Sequence, residues 1–162
     1  MKKTIILCSS ILILFFLGYF VNNSYALNNY KKAFYIVKIK KSFKSAVFDI
    51  KQSIMNDNYV IVNVNPISQG IKGVGKRIAK LDVIEFCNLS YAYNILHGNK
   101  NYAAFMPCRI AVYKEGRYVV IIGFLPSFAL NLFKTTNPLM KKTLLKITHQ
   151  MISIMNSVKN GF

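Results

Sequence analysis

Cys87 and Cys108 are the residues of this chain best suited to chemistry, and Cys8, the remaining cysteine, lies inside an apolar N-terminal run. In an oxidising compartment an even pair of thiols reads first as a disulfide. Closing a loop of about 20 residues would stabilise the fold by about 3 kcal/mol on the chain-entropy model. Two buried, inert thiols are the plainer alternative. Geometry decides between them: Cys87 ends one predicted strand and Cys108 begins another. They meet at one end of the sheet if those strands run antiparallel, and lie at opposite ends if the segment between makes a parallel crossover. Arg109, beside Cys108, would lower a thiol pKa if it faced the sulfur, or would face solvent as an ordinary strand residue.

The aromatics Tyr91, Tyr93, Tyr102, Phe105, Tyr113, Tyr118 and Phe124 concentrate around the predicted hairpin and short helix that follow Cys87. They read as core packing, or more sharply as a pocket or dimer face lined by tyrosines such as Tyr91 and Tyr113. The rest of the catalytic inventory is thin. His97 and His149 have no carboxylate or cysteine at metal-ligand spacing. Asp49, Asp57, Asp82, Glu85 and Glu115 form no paired arrangement of the kind a two-carboxylate hydrolase needs. Ser127 lacks the Gly-x-Ser-x-Gly elbow. No catalytic residue, firm metal ligand or cofactor site is assigned.

The elements that must position these residues follow from periodicity. Ala33 to Lys40 alternates Val37 and Ile39 with Lys38 and Lys40, a strand pattern. Phe43 to Asn56 carries Val47, Ile50 and Ile54 at helical spacing, with Ser42 or Ser45 as N-cap and Asp57-Asn58 as the stop. Tyr59 to Val64 and Asp82 to Cys87 are strands, and Leu89 to His97 is a short helix. Arg109 to Lys114 and Tyr118 to Phe124 flank Glu115-Gly116-Arg117 as a β-hairpin. Pro126 opens a short amphipathic segment to Phe133. A final helix from Leu139 to about Val158 shows a stripe of Leu144, Ile147, Met151, Ile154 and Val158. Residues 67–80 read as a loop or short helix, whose Gly70, Gly73 and Gly75 beside Lys72, Lys76, Arg77 and Lys80 fit neither a Walker loop nor a dinucleotide fingerprint. Together the elements predict an α+β two-layer sandwich, a mainly antiparallel sheet with helices packed on one face.

Ahead of this domain Lys2 and Lys3 precede an almost wholly apolar stretch, Thr4 to Val21, and Ser24-Tyr25-Ala26 offers small residues for cleavage after Ala26. Residues 1–26 therefore read as a signal peptide, or as an uncleaved anchor to the inner membrane through residues 4–21. Either way the domain is expected in an extracytoplasmic, periplasmic compartment. Without Lys2 and Lys3 the chain has a formal charge of +15, from 20 basic against 5 acidic side chains. Such a field attracts an anionic membrane surface, although scattered lysines in a Lys-, Asn- and Ile-rich chain also read as composition alone. An exported protein is not expected to meet nucleic acid.

Two stretches carry a family resemblance: Val83-Ile-Glu-Phe-Cys-Asn-Leu-Ser-Tyr-Ala-Tyr-Asn-Ile-Leu96 and Phe105-Met-Pro-Cys-Arg-Ile-Ala-Val-Tyr113. They resemble the bacterial domain of unknown function 302 family, in which a strand ending in Cys-Asn or Gly-Asn leads to a short helix with Ala-Tyr or Ala-His, then to a Pro-Cys segment and a hairpin. The likeness covers residues 33–158 and departs at Leu89, where many members have proline, and in residues 67–80. It implies a TATA-box-protein-like two-layer sandwich, often a homodimer, and no established activity. Similar cysteines in members without a leader keep a soft-metal or redox thiol pair open beside the disulfide. The expectation is a small-ligand or metal-binding accessory module rather than an enzyme. The alternatives are a thiol–disulfide redox protein, weakened by the lack of a Cys-x-x-Cys motif, and a basic membrane-surface protein.

Overall fold

The computed structural model describes residues 33–133 and 137–159. The expected leader, its expected cleavage site after Ala26, the candidate anchor segment 4–21 and Cys8 lie outside the described residues. Among the described residues no helix is long and apolar enough to cross a membrane.

Five strands, β1 (Phe34–Ile39), β2 (Val60–Asn65), β3 (Leu81–Cys87), β4 (Cys108–Glu115) and β5 (Tyr118–Phe124), form one sheet in the order β1-β5-β4-β3-β2. Every neighbouring pair is antiparallel. The pleat sends alternate residues to opposite faces, so register assigns the faces. Val37 lies opposite Ile121, Ile121 opposite Val112, Ile110 opposite Ile84, and Phe86 opposite Cys108. These residues share the covered face, and the aliphatic ones and Phe86 are buried. The other face carries a row of Ile36, Ile122, Ala111 and Val83, and the Arg109–Glu85 ion pair at 3.0 Å.

The covered face is roofed by two long helices, α1 (Phe43–Asn56) and α4 (Pro138–Ser157). Helix α1 starts where Ser42 Oγ accepts a hydrogen bond from Ser45 N at 3.1 Å, satisfying one of the orphan donors of the first turn. Its buried side chains, Ala46, Asp49, Ile50, Ser53 and Ile54, fall on one stripe at three- and four-residue spacing. Each fully buried isoleucine contributes about 2 kcal/mol of apolar transfer free energy. The helix stops at Asn58, whose φ of 61° is left-handed and turns the chain into β2.

Helix α4 opens with Pro138 in its first turn and with Asn137 Oδ1 accepting from Met140 N at 3.0 Å. Its stripe of Leu144, Ile147, Met151, Ile154 and Val158 is buried as the sequence pattern anticipates, and Met140 and Met155 widen it. Gly123 in β5 leaves room for this helix. A Cβ there would meet Met155 Sδ at 3.1 Å and Met151 Cε at 3.2 Å.

Between β2 and β3 the chain forms a short helix, α2 (Ile67–Gly73), which buries none of its side chains. It then turns through Gly75, whose φ of 77° is left-handed. Between β3 and β4 lie α3 (Leu89–Gly98) and a 3₁₀ segment, Lys100–Phe105, and a second 3₁₀ segment, Pro126–Asn131, follows β5. The crossover question is thereby answered: β3 and β4 run antiparallel, so Cys87 and Cys108 share one end of the sheet.

Candidate functional site

That end of the sheet is not sealed by the two long helices. Helix α3, both 3₁₀ segments and the first half of α4 close over it and leave a cleft. The cleft is open to solvent, and the space between its walls, mouth included, is about 460 Å³. Cys108, on the covered face of the sheet, forms its floor, and Cys87, the last residue of β3, borders it. Its walls include Tyr91 and Ile95 from α3, Tyr102 and Met106 from the following segment, and Leu144 and Ile147 from α4.

Local sequence explains how each wall is held. Asn88, directly after Cys87, caps α3: its Oδ1 accepts from Tyr91 N at 3.1 Å, while its Nδ2 donates to Asn58 O at 3.0 Å. One side chain thus starts the helix that carries Tyr91 and ties it to the turn before β2. Tyr59, directly before β2, donates from its hydroxyl to Gln150 Oε1 at 2.9 Å, and its ring meets Phe86 edge-on at 5.3 Å and Tyr91 at 6.0 Å. Tyr102 is buried and donates to Phe133 O at 3.1 Å. Phe105 stacks nearly parallel on Phe124 at 5.6 Å. The hydroxyls of the wall residues Tyr59 and Tyr102 are thus already engaged within the protein.

Cys87 and Cys108 are both free, with no disulfide between them. Burial pushes the Cys108 thiol up to about 12; the neighbouring Cys87 adds to the rise, and Arg109 opposes it more weakly. Burial also raises Cys87. The Tyr59 phenol is raised too, chiefly by burial and then by Cys108 and Tyr91. A low-dielectric environment disfavours every charged form in this way, so at neutral pH the floor presents neutral S–H groups. These are poor nucleophiles, since the thiolate is the reactive species.

The structure brings Cys87, Cys108 and Tyr91 into one cleft and keeps Arg109 and Tyr113 out of it. Both of the latter lie an odd number of positions from Cys108 along β4, so the pleat sends them to the other face. There Arg109 Nε donates to Glu85 Oε1 at 3.0 Å. Tyr93 points outward from α3, exposed, with its ring 5.6 Å from His97. Tyr59, Met106, Ile95, Leu144 and Ile147 are wall residues that the sequence reading did not assign. Only Tyr59 carried a local signal, as the aromatic between Asp57-Asn58 and the strand whose Val60 pairs with Cys87. Among the described residues no group of three or more His, Cys, Asp or Glu side chains could hold a metal ion.

A five-stranded antiparallel sheet, helices on one face and an apolar cleft at one end define an α+β two-layer sandwich. A family model, "Domain of unknown function DUF302", matches residues 35–158. The chain belongs to that family. The fold is also that of the "uncharacterized conserved protein DUF302" of Bacillus stearothermophilus, known from a crystal structure. The two share 17% sequence identity at a TM-score of 0.70, over 77% of this chain and 97% of that one. No curated protein matches the chain.

Proposed function

We propose that the protein is a binding module for a small apolar molecule, held in the cleft lined by Cys87 and Cys108. It would act outside the cytoplasm, as the pattern of Lys2 to Ala26 supports. One observation carries the reading: the polar groups of Tyr59, Tyr102 and Asn88 on the wall are already hydrogen-bonded within the protein, and the two thiols stay protonated. A ligand that needed hydrogen bonds would find few to make, while an apolar one would exchange water for rings and aliphatic side chains. None of the described lining residues is charged, and Lys146 Nζ lies 4.9 Å from the Tyr91 ring.

The test uses N-phenyl-1-naphthylamine, a neutral apolar probe whose fluorescence rises on leaving water. Saturable 1:1 enhancement is expected with the full chain. Ala92→Trp, which fills the cleft from α3, should weaken binding at least about tenfold, or about 1.4 kcal/mol, with the circular dichroism unchanged. Binding that ignores this substitution would place the apolar surface elsewhere and end the reading.

A second reading rests on Met106, whose thioether joins the two thiols in the cleft wall. Thiol and thioether sulfur together suit a soft ion such as Cu(I). Stoichiometric Cu(I) uptake that Cys87→Ser abolishes while the fold persists would favour it over the apolar ligand. Thiol–disulfide exchange has less support, because a thiol raised to about 12 is scarcely ionised at neutral pH.

A further inference from the structure

At the end of the sheet opposite the cleft, where β1, β2 and β4 finish and β3 and β5 begin, the charge of the domain is unevenly gathered. Lys38, Lys40 and Arg117 surround the ring of Tyr118 at 4.9, 5.9 and 5.2 Å. Lys114 N donates to Lys80 O at 2.9 Å, and Lys80 Nζ lies 6.0 Å from the Phe43 ring, so β4, α1 and the 67–80 segment meet here. Lys72, Lys76 and Arg77 complete the rim, all exposed. Of the acids at this end, Glu115 pairs with Lys38, Asp49 pairs with Lys41, and Asp82, the second residue of β3, lies within electrostatic reach of Lys80. The cations of residues 72–80 appear in no described ion pair.

The same segment exposes aliphatic side chains that a solvated loop does not need. Val74 is 74% exposed and Ile78 48% exposed, and they alternate with the cations: Lys72, Val74, Lys76-Arg77, Ile78, Lys80. Helix α2, just before them, buries no residue either.

We propose that residues 72–80, with the basic rim behind them, dock on an anionic lipid surface. The cations would approach the headgroups, and Val74 and Ile78 would enter the headgroup–acyl boundary. Apolar insertion and electrostatic attraction together give interfacial binding that neither gives alone. Nucleic acid fits less well, since sequence-tolerant strand binding uses open aromatic faces for stacking and the Tyr118 ring at this end is already ringed by cations. This site is independent of the cleft and of what the cleft holds.

The full-length chain would be reconstituted in phosphatidylcholine nanodiscs with and without phosphatidylglycerol, so that any anchoring by residues 4–21 is common to both. Hydrogen exchange at the amides of residues 74–80 is the readout. With phosphatidylglycerol it should slow about tenfold, and added salt should restore the faster rate. Combined Lys72→Gln, Lys76→Gln, Arg77→Gln and Lys80→Gln should abolish the effect, and Val74→Ser with Ile78→Ser should reduce it, neither disturbing the exchange of β4. Equal exchange in the two kinds of disc overturns the proposal. So does equal slowing by a single-stranded oligonucleotide in neutral discs, which would assign the rim to nucleic acid.

Discussion

A thiol at the edge of an apolar cleft loses the water that would stabilise its thiolate, and the loss is felt as stability at high pH. The Cys108 pKa lies at about 12 in the folded protein against 9.0 ordinarily. The folded state holds this proton where the unfolded chain has begun to release it. The corresponding stability is therefore complete below about pH 9 and drains away as pH rises toward 12. Cys87 and Tyr59 shift in the same direction and deepen the decline. Urea midpoints should fall through that window, and Cys108→Ala should flatten part of the slope. An identical slope in the variant would contradict the assignment. A second residue effect concerns Asp49, buried on α1 and paired with Lys41, which also donates to Val158 O at 3.4 Å. Lys41→Met strands that carboxylate and should cost about 2–3 kcal/mol in a denaturation curve. At this scale the sequence disclosed half of the site. The thiol pair and Tyr91 stood out by type and position. Arg109 and Tyr113 stood out equally and lie on the wrong face, because closeness along a strand is not closeness in space.

Elements are held in place here by caps as much as by hydrophobic stripes. Ser42, Asn88 and Asn137 each accept from a backbone N–H three residues on. Asn88 does more, because it also binds the Asn58 carbonyl and so fixes α3 relative to the start of β2. Asn88→Ala should cost about 1–2 kcal/mol of stability. Since Tyr91 rides on the first turn of that helix, the same change should weaken probe binding in the cleft more than Ser42→Ala does at equal stability loss. Equal weakening would mean that α3 is positioned by packing alone. Helices α1 and α4 were legible because each has a cap and a buried stripe with a 3.6-residue period. Lys100–Phe105 was not, since a 3₁₀ segment lacks that period and this one is pinned from outside itself, by Asn99 Oδ1 on Asn101 N and by the Tyr102 hydroxyl on Phe133 O. Residues 67–73 stayed ambiguous for the opposite reason: a helix that buries no face leaves no periodic trace.

Over the whole domain, the order of the strands and the gathering of charge were the least visible features in the sequence. The hairpin of β4 and β5 was evident from its turn, but the pairing of β1 with β5 joins distant parts of the chain that no local pattern connects. The lysines likewise look scattered along the sequence, and it is the antiparallel order that collects Lys38, Lys40, Lys80, Lys114 and Arg117 at one end. Like charges crowded on a folded surface repel one another more than they do on an extended chain. At 0.1 M salt the screening length is about 10 Å, comparable to the spacing across neighbouring strands and their side chains, and at 0.01 M it is about 30 Å. The thermal midpoint should therefore rise when sodium chloride is raised through this range, by about 3–6 °C if the repulsion relieved is near 1 kcal/mol. Replacing Lys40, Lys80 and Lys114 with glutamine should flatten the dependence, because these substitutions thin the cluster and leave the Lys38–Glu115 and Lys41–Asp49 pairs intact. The same number of substitutions at Lys141, Lys142 and Lys146 on α4 should leave most of it in place. If both sets flatten it equally, the repulsion is spread over the whole surface and the basic end has no special part in the stability of the fold.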